Sequence, residues 1–162
     1  MRVIEEINSE ELDDLKNYYP PREADINFKK IANDAVQKFL KEIPLWQEVH
    51  VHYGKTSPNA LGTHIGETES RPIIVISPKN CLKALKIYRS RGIDLETIIS
   101  TTIWHELGHS FYEYCAIYNL DVPEDEEKAA ENIAWSIYYR GTVPINVKKL
   151  LKQIQKEENE IQ

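Results

Sequence analysis

Two histidines stand four residues apart in the stretch TTIWHELGHSFYEY (Thr101 to Tyr114), with a glutamate beside the first: His105, Glu106 and His109. On a helix, positions i and i+4 differ by about 40° of rotation, so both imidazoles project from one face and can converge on a single ion. Zinc accepts neutral imidazole nitrogens, and two such ligands on one helix make half of a tetrahedral site. Glu106 falls about 60° round the axis from His109, beside an ion rather than on it. A structural zinc site closes all four positions with protein ligands and has no use for that carboxylate. A hydrolytic site does, because a zinc-bound water loses its proton near pH ~7 and a neighbouring carboxylate can accept it.

Two histidines leave the site incomplete. No histidine follows His109, so the remaining downstream supply is carboxylate, concentrated in DVPEDEEKAAENIAWSIYYRG (Asp121 to Gly141). Glu124, Asp125 and Glu126 suit the positive end of a helix dipole. Glu127, Glu131, Ala134 and Tyr138 fall within one arc of that helix, opposite Lys128, Asn132, Ser136 and Tyr139. Carboxylates on a face that also carries Ala130 and Ala134 need partners. Glu127 as third ligand, with Glu131 accepting the free N–H of His105, supplies them; the two project similarly, so the reverse assignment is also open. Tyr138 shares their face and is the candidate oxyanion donor, with Tyr112 and Arg140 behind it.

The elements that must position these groups can be read from periodicity. Glu10 to Tyr19 reads as a short helix stopped by Pro20 and Pro21, and Ala24 to Ile43 as a second, stopped by Pro44. A β-type run follows at Trp46 to Tyr53, another at Leu61 to Glu67 and a third at Pro72 to Ile76, separated by turn residues. Helical spacing returns over Asn80 to Arg91, Asp94 to about Tyr118, Glu124 to about Arg140, and from Asn146 onward, where KQIQKEENEIQ reads as a solvated or frayed end. The order points to an α+β fold with a small antiparallel or mixed sheet. The expected arrangement is one domain over 1–162, with N-terminal helices within 1–45 and a helical tail over 145–162.

The HExxH helix carries an apolar stripe at Leu95, Ile98, Ile99, Ile103, Leu107, Phe111 and Tyr114, so its polar side should face a cleft. Gly108 in that helix costs roughly 1 kcal/mol against alanine, which close approach of another segment would explain. Trp104 and Trp135 read as core. His64 reads as a half-exposed strand residue that could touch substrate or an oxyanion, and His50 and His52 as surface alternation.

A chain of 162 residues with 41% hydrophobic composition can bury a core without staples. Its net charge of −6 disfavours nucleic acid as a partner. No apolar run is long enough to span a membrane, and the acidic amphipathic start lacks the pattern of a secretory signal, so a cytoplasmic location is expected. Cys81 and Cys115 read as buried free thiols.

His105-Glu106-Leu107-Gly108-His109, followed by Glu126-Glu127-Lys128-Ala129-Ala130-Glu131, resembles the gluzincin zinc metallopeptidases, and the short length is similar to the minimal gluzincins and ImmA/IrrE-type peptidases. The resemblance spans roughly Leu61 to Pro144, with Glu131 where aspartate or asparagine is more usual. It implies a zincin-like fold, one zinc ion, and a peptide or protein substrate laid along an edge strand near Asn59 to Gly66, where Gly62 and Gly66 would permit close approach. The expectation is therefore an endopeptidase; a latent or non-catalytic regulatory module on the same scaffold is the alternative.

Overall fold

The computed structural model describes residues 2–7, 27–54, 56–65 and 71–161, and of 2–7, 65 and 161 the backbone alone. These residues form an α+β fold of four strands, β1 (Arg2–Ile7), β2 (Glu48–Tyr53), β3 (Gly62–Ile65) and β4 (Ile73–Ile76), and five helices, α1 (Phe28–Glu42), α2 (Pro78–Tyr88), α3 (Leu95–Ile117), α4 (Glu126–Arg140) and α5 (Ile145–Ile161). The sheet is mixed, in the order β1-β2-β4-β3. β1, β2 and β4 run parallel, and β3 lies antiparallel to β4 at an edge, with His64 opposite Ile74.

β1 adds a strand ahead of the first helix expected, at a stretch to which periodicity assigns no element. RVIEEI looks like the start of an acidic amphipathic helix, but Val3, Ile4 and Ile7 are good strand formers, and pairing along the whole of β2 outweighs a weak local preference. The helix expected over Glu10 to Tyr19, the start of the one expected from Ala24, and the turn at Gly66 to Ser70 lie outside the described residues.

Capping chemistry sets the helix boundaries. α2 begins two residues earlier than its periodicity suggests: Pro78 occupies the first turn, where no N–H is needed, and Ser77 Oγ accepts the Asn80 amide at 3.1 Å. Asp94 accepts the Thr97 amide at 2.8 Å to start α3, and Asp125 the Lys128 amide at 3.0 Å to start α4. α4 ends at Gly141, whose φ of 73° suits a residue without a side chain. The tail is a largely exposed helix, as a solvated end would be. α5 runs to Ile161, and its Leu151 and Ile154 are buried.

α3 is the central element, packing against α1, α2, α4, β3 and β4. Ile99, Ile103, Leu107 and Phe111 are fully buried, and each such side chain contributes about 1.5–3 kcal/mol relative to exposure. Trp104 donates its indole N–H to the Ala35 carbonyl at 2.8 Å, which ties α3 to α1. The polar side of α3 is less open than an amphipathic surface helix would leave it. Thr101, Thr102, Glu106, His109 and Ser110 are buried as well, because β3 and α4 close over them. Among the described residues no helix is long and apolar enough to cross a membrane.

Candidate metal centre

The approach of α4 to α3 is set by two small residues. A Cβ on Gly108 would lie 3.2 Å from the Ala130 Cα and 3.3 Å from its Cβ, so α4 backbone occupies the space a side chain would need. The expected close approach at Gly108 is thus present. The consequence is reach: with the helices this near, Glu126 and Glu127, one turn before Ala130, and Glu131, next to it, extend to the histidines of α3.

Glu127 bridges them. Its Oε1 lies 2.7 Å from His105 Nε2 and its Oε2 2.8 Å from His109 Nε2. The two Nε2 atoms are 3.2 Å apart. Ligands at about 2.0–2.1 Å in tetrahedral geometry stand about 3.3 Å from each other, so the imidazole pair already has the separation that a zinc ion requires. His105, His109 and Glu127 are the one group of this kind among the described residues, with their ligand atoms all within 4.8 Å of one another.

Each imidazole is also held from behind. His105 Nδ1 lies 2.5 Å from Glu131 Oε2, and the Trp135 indole N–H donates to Glu131 Oε1 at 2.6 Å. His109 Nδ1 lies 2.9 Å from Glu126 Oε1. A carboxylate on Nδ1 turns Nε2 toward the shared centre and makes it a better donor to a metal. The residues could therefore hold a metal ion, and of the two orders open for Glu127 and Glu131 the geometry has Glu127 at the centre and Glu131 behind His105. Burial disfavours the His105 cation, but the Glu131 hydrogen bond with the Glu106 and Glu127 charges outweighs it and raises the pKa. Hydrogen bonding to His105 in turn lowers that of Glu131.

Glu106 is buried on the other side of the pair. Its Oε2 lies 3.2 Å from His64 Nδ1, and His64 Nε2 lies 2.7 Å from Glu113 Oε1. The His64 ring stacks on His109 with centroids 4.9 Å apart and planes 7° from parallel. The hydrogen bond to Glu106, reinforced by Glu113 and opposed by burial, raises the His64 pKa to about 9. His64 is thus no isolated strand histidine but is joined to Glu106, Glu113 and His109. β3 can carry it there because Gly62 is pressed against α3 and β4: a Cβ on Gly62 would lie 2.8 Å from Thr102 Cγ2 and 3.1 Å from the Val75 carbonyl oxygen.

A cleft of about 280 Å³ opens beside the cluster, with His105, Glu106, Glu127 and Glu131 on one wall and Leu61, Tyr88, Ile93, Ile98 and Trp135 among the others. Trp135 is therefore a cleft residue rather than core. The loop above the cleft is pinned from below, where Asn80 Nδ2 donates to the Ala60 carbonyl at 2.7 Å and the Ser77 amide to that of Leu61 at 2.8 Å.

Tyr138 stands apart from this arrangement. Seven residues beyond Glu131, it is about 10 Å further along the axis at ~1.5 Å per residue, and its ring packs on Trp135 and Tyr139. A shared helical arc ignores distance along the axis, which is why the sequence suggested it as an oxyanion donor. Tyr112 is buried and Arg140 exposed at the far end of α4. His50 and His52 lie together on β2 with rings 6.3 Å apart, and β4 separates them from the edge strand that carries His64.

Sequence reasoning missed Glu126 behind His109 and the pairing of Glu113 with His64, a histidine it reads only as a possible substrate or oxyanion contact. Glu126 was masked by its position, since an acid in the first turn is explained by the helix dipole alone. Glu113 carried a usable signal: seven residues from Glu106, it returns to the same face after two turns. No protein-family model and no curated protein matches this sequence.

Proposed function

We propose that this chain is a zinc-dependent metalloendopeptidase of the gluzincin kind, with a zincin-like fold. One observation carries the reading: Glu127 joins the Nε2 atoms of His105 and His109 while Glu106, which takes no part in that cluster, lines the adjoining cleft. A site built only to hold an ion needs no carboxylate beside it on an open cleft.

His105, His109 and Glu127 would hold one zinc ion, with Glu131 and Glu126 fixing the two rings. When bound, zinc polarises a scissile carbonyl and lowers the pKa of a water toward ~7. Glu106 accepts the proton of the attacking water on its carboxylate and passes it to the departing amine nitrogen. Among the described residues β3 is an edge strand, and the backbone groups on its outer side suit an extended peptide or protein segment added alongside it. The two unpaired cysteines suit a reducing compartment such as the cytosol.

The test combines metal analysis with cleavage of a mixed peptide library. We expect one zinc per chain, hydrolysis of internal peptide bonds, and a Glu106→Gln variant that keeps zinc but cleaves about 10²–10⁴-fold more slowly. A zinc-loaded protein that cleaves no peptide, or a Glu106→Gln variant as fast as the parent, overturns the reading.

A further inference from the structure

We propose that His64 is a positioning residue for Glu106, and that Glu113 acts through it: the imidazole on β3 anchors one oxygen of the Glu106 carboxylate and leaves the other to the reacting water. The inference rests on the peptidase reading of the same site and assigns a role to two residues outside the metal cluster.

Three contacts fix the His64 ring. Nδ1 meets Glu106 Oε2 at 3.2 Å, Nε2 meets Glu113 Oε1 at 2.7 Å, and the ring face lies on His109. Glu106 and Glu113 sit two turns apart on one face of α3, so a single imidazole reaching in from β3 spans both. A buried carboxylate requires hydrogen-bond partners to stay oriented. Among the described residues His64 is the side chain that hydrogen-bonds the Glu106 carboxylate, and it does so through Oε2 alone. Oε1 is left on a residue that lines the cleft. Anchoring one oxygen stops the carboxylate rotating, and a general base misplaced by about 1 Å can lose some 10²-fold in rate. Because the anchor is carried by the edge strand, the orientation of the base depends on how β3 sits against α3.

The test compares the zinc-loaded parent with His64→Ala, His64→Asn, Glu113→Gln and the His64→Ala/Glu113→Gln double variant. It measures zinc content, kcat and KM on a cleaved peptide, and the affinity for acetohydroxamate, whose hydroxyl offers Glu106 the proton that water would. With zinc content unchanged, His64→Ala should lower kcat about 10–100-fold and shift KM less than about 3-fold. Acetohydroxamate affinity should fall by a similar factor. His64→Asn, which keeps a donor near Nδ1, should recover part of both losses. Glu113→Gln should cost less than His64→Ala, and the double variant no more than His64→Ala, because both act through one ring. Full kcat and full acetohydroxamate affinity in His64→Ala, or losses that multiply in the double variant, overturn the proposal. If zinc is held but no peptide is cleaved, the peptidase reading fails, while the acetohydroxamate series still decides the role of His64. Should the His64 variants fail to fold, an unchanged acetohydroxamate affinity in Glu113→Gln overturns it.

Discussion

Glu126 stands behind His109 as Glu131 stands behind His105: each places a carboxylate oxygen on Nδ1, at 2.9 and 2.5 Å. The two imidazoles of α3 are therefore oriented by two glutamates of α4, with Glu127 between them on the Nε2 side. Three acids in one short helix divide into one that meets the shared centre and two that hold the rings facing it.

That division predicts graded metal affinities. Glu127→Ala, like His105→Ala or His109→Ala, removes a ligand and should abolish stoichiometric zinc binding. Glu131→Gln and Glu126→Gln leave the ligand set intact and should weaken zinc about 10–100-fold each. Competition with a chromophoric chelator measures both. Equal losses for Glu127→Ala and Glu131→Gln would contradict the assigned division.

Gly108 and Ala130 control how near α4 can come. Gly108→Ala gains about 1 kcal/mol of helix propensity, but the new methyl meets Ala130 backbone at 3.2 Å and overpacking costs about 1–3 kcal/mol. The net expectation is up to about 2 kcal/mol of lost stability in denaturant melts. Zinc affinity should also fall, because a widened gap draws Glu127 and Glu131 back from the histidines.

Gly62→Ala acts at the other wall. Its Cβ would sit 2.8 Å from Thr102 Cγ2 and 3.1 Å from the Val75 carbonyl, so β3 must move away from α3 or strain against β4. We expect a loss of about 1–3 kcal/mol in chemical denaturation. Peptide cleavage should slow with zinc content unchanged, since His64 moves with β3 while the proposed ligands His105, His109 and Glu127 lie on α3 and α4.

Tyr138→Phe separates helical face from actual reach. Its Cα is about two turns beyond that of Glu131 and its ring is half-exposed against Trp135 and Tyr139. Peptide hydrolysis should change less than about 2-fold. A loss of 10² or more, of the size seen when an oxyanion donor is removed, would return Tyr138 to the site.

The cysteines give a check on the packing itself. Burial pushes the Cys81 and Cys115 thiols up to about 12, so neither is appreciably ionised at pH 8, and the thiolate is the reactive form. Native protein at that pH should resist alkylation at both positions, and denatured protein should be modified at both. Rapid labelling of native Cys81 would show that the contact between α2 and the loop before β3 is not as described.

The bounds of α1, α3 and α4 were readable within a few residues because apolar period and capping residues such as Asp94 and Asp125 act locally. The convergence of His105 and His109 was equally local, being helix geometry alone. Glu127 and Glu131 could be placed on one face of α4 but not distinguished, since rotation about an axis says nothing of where a neighbouring helix crosses it.

What the sequence by itself determined is the chemistry on α3: two imidazoles turned one way, with a carboxylate beside them. Only the tertiary structure decided the rest. The crossing of α4 at Gly108 and Ala130 puts Glu127 between the rings and Glu126 and Glu131 behind them, while the Tyr138 ring packs on Trp135 and Tyr139. Pairing with β2 makes Arg2–Ile7 a strand, and Gly62 lets β3 bring His64 to Glu106. Each of these depends on a distance between residues far apart in the chain, and periodicity carries direction around an element but no distance between elements.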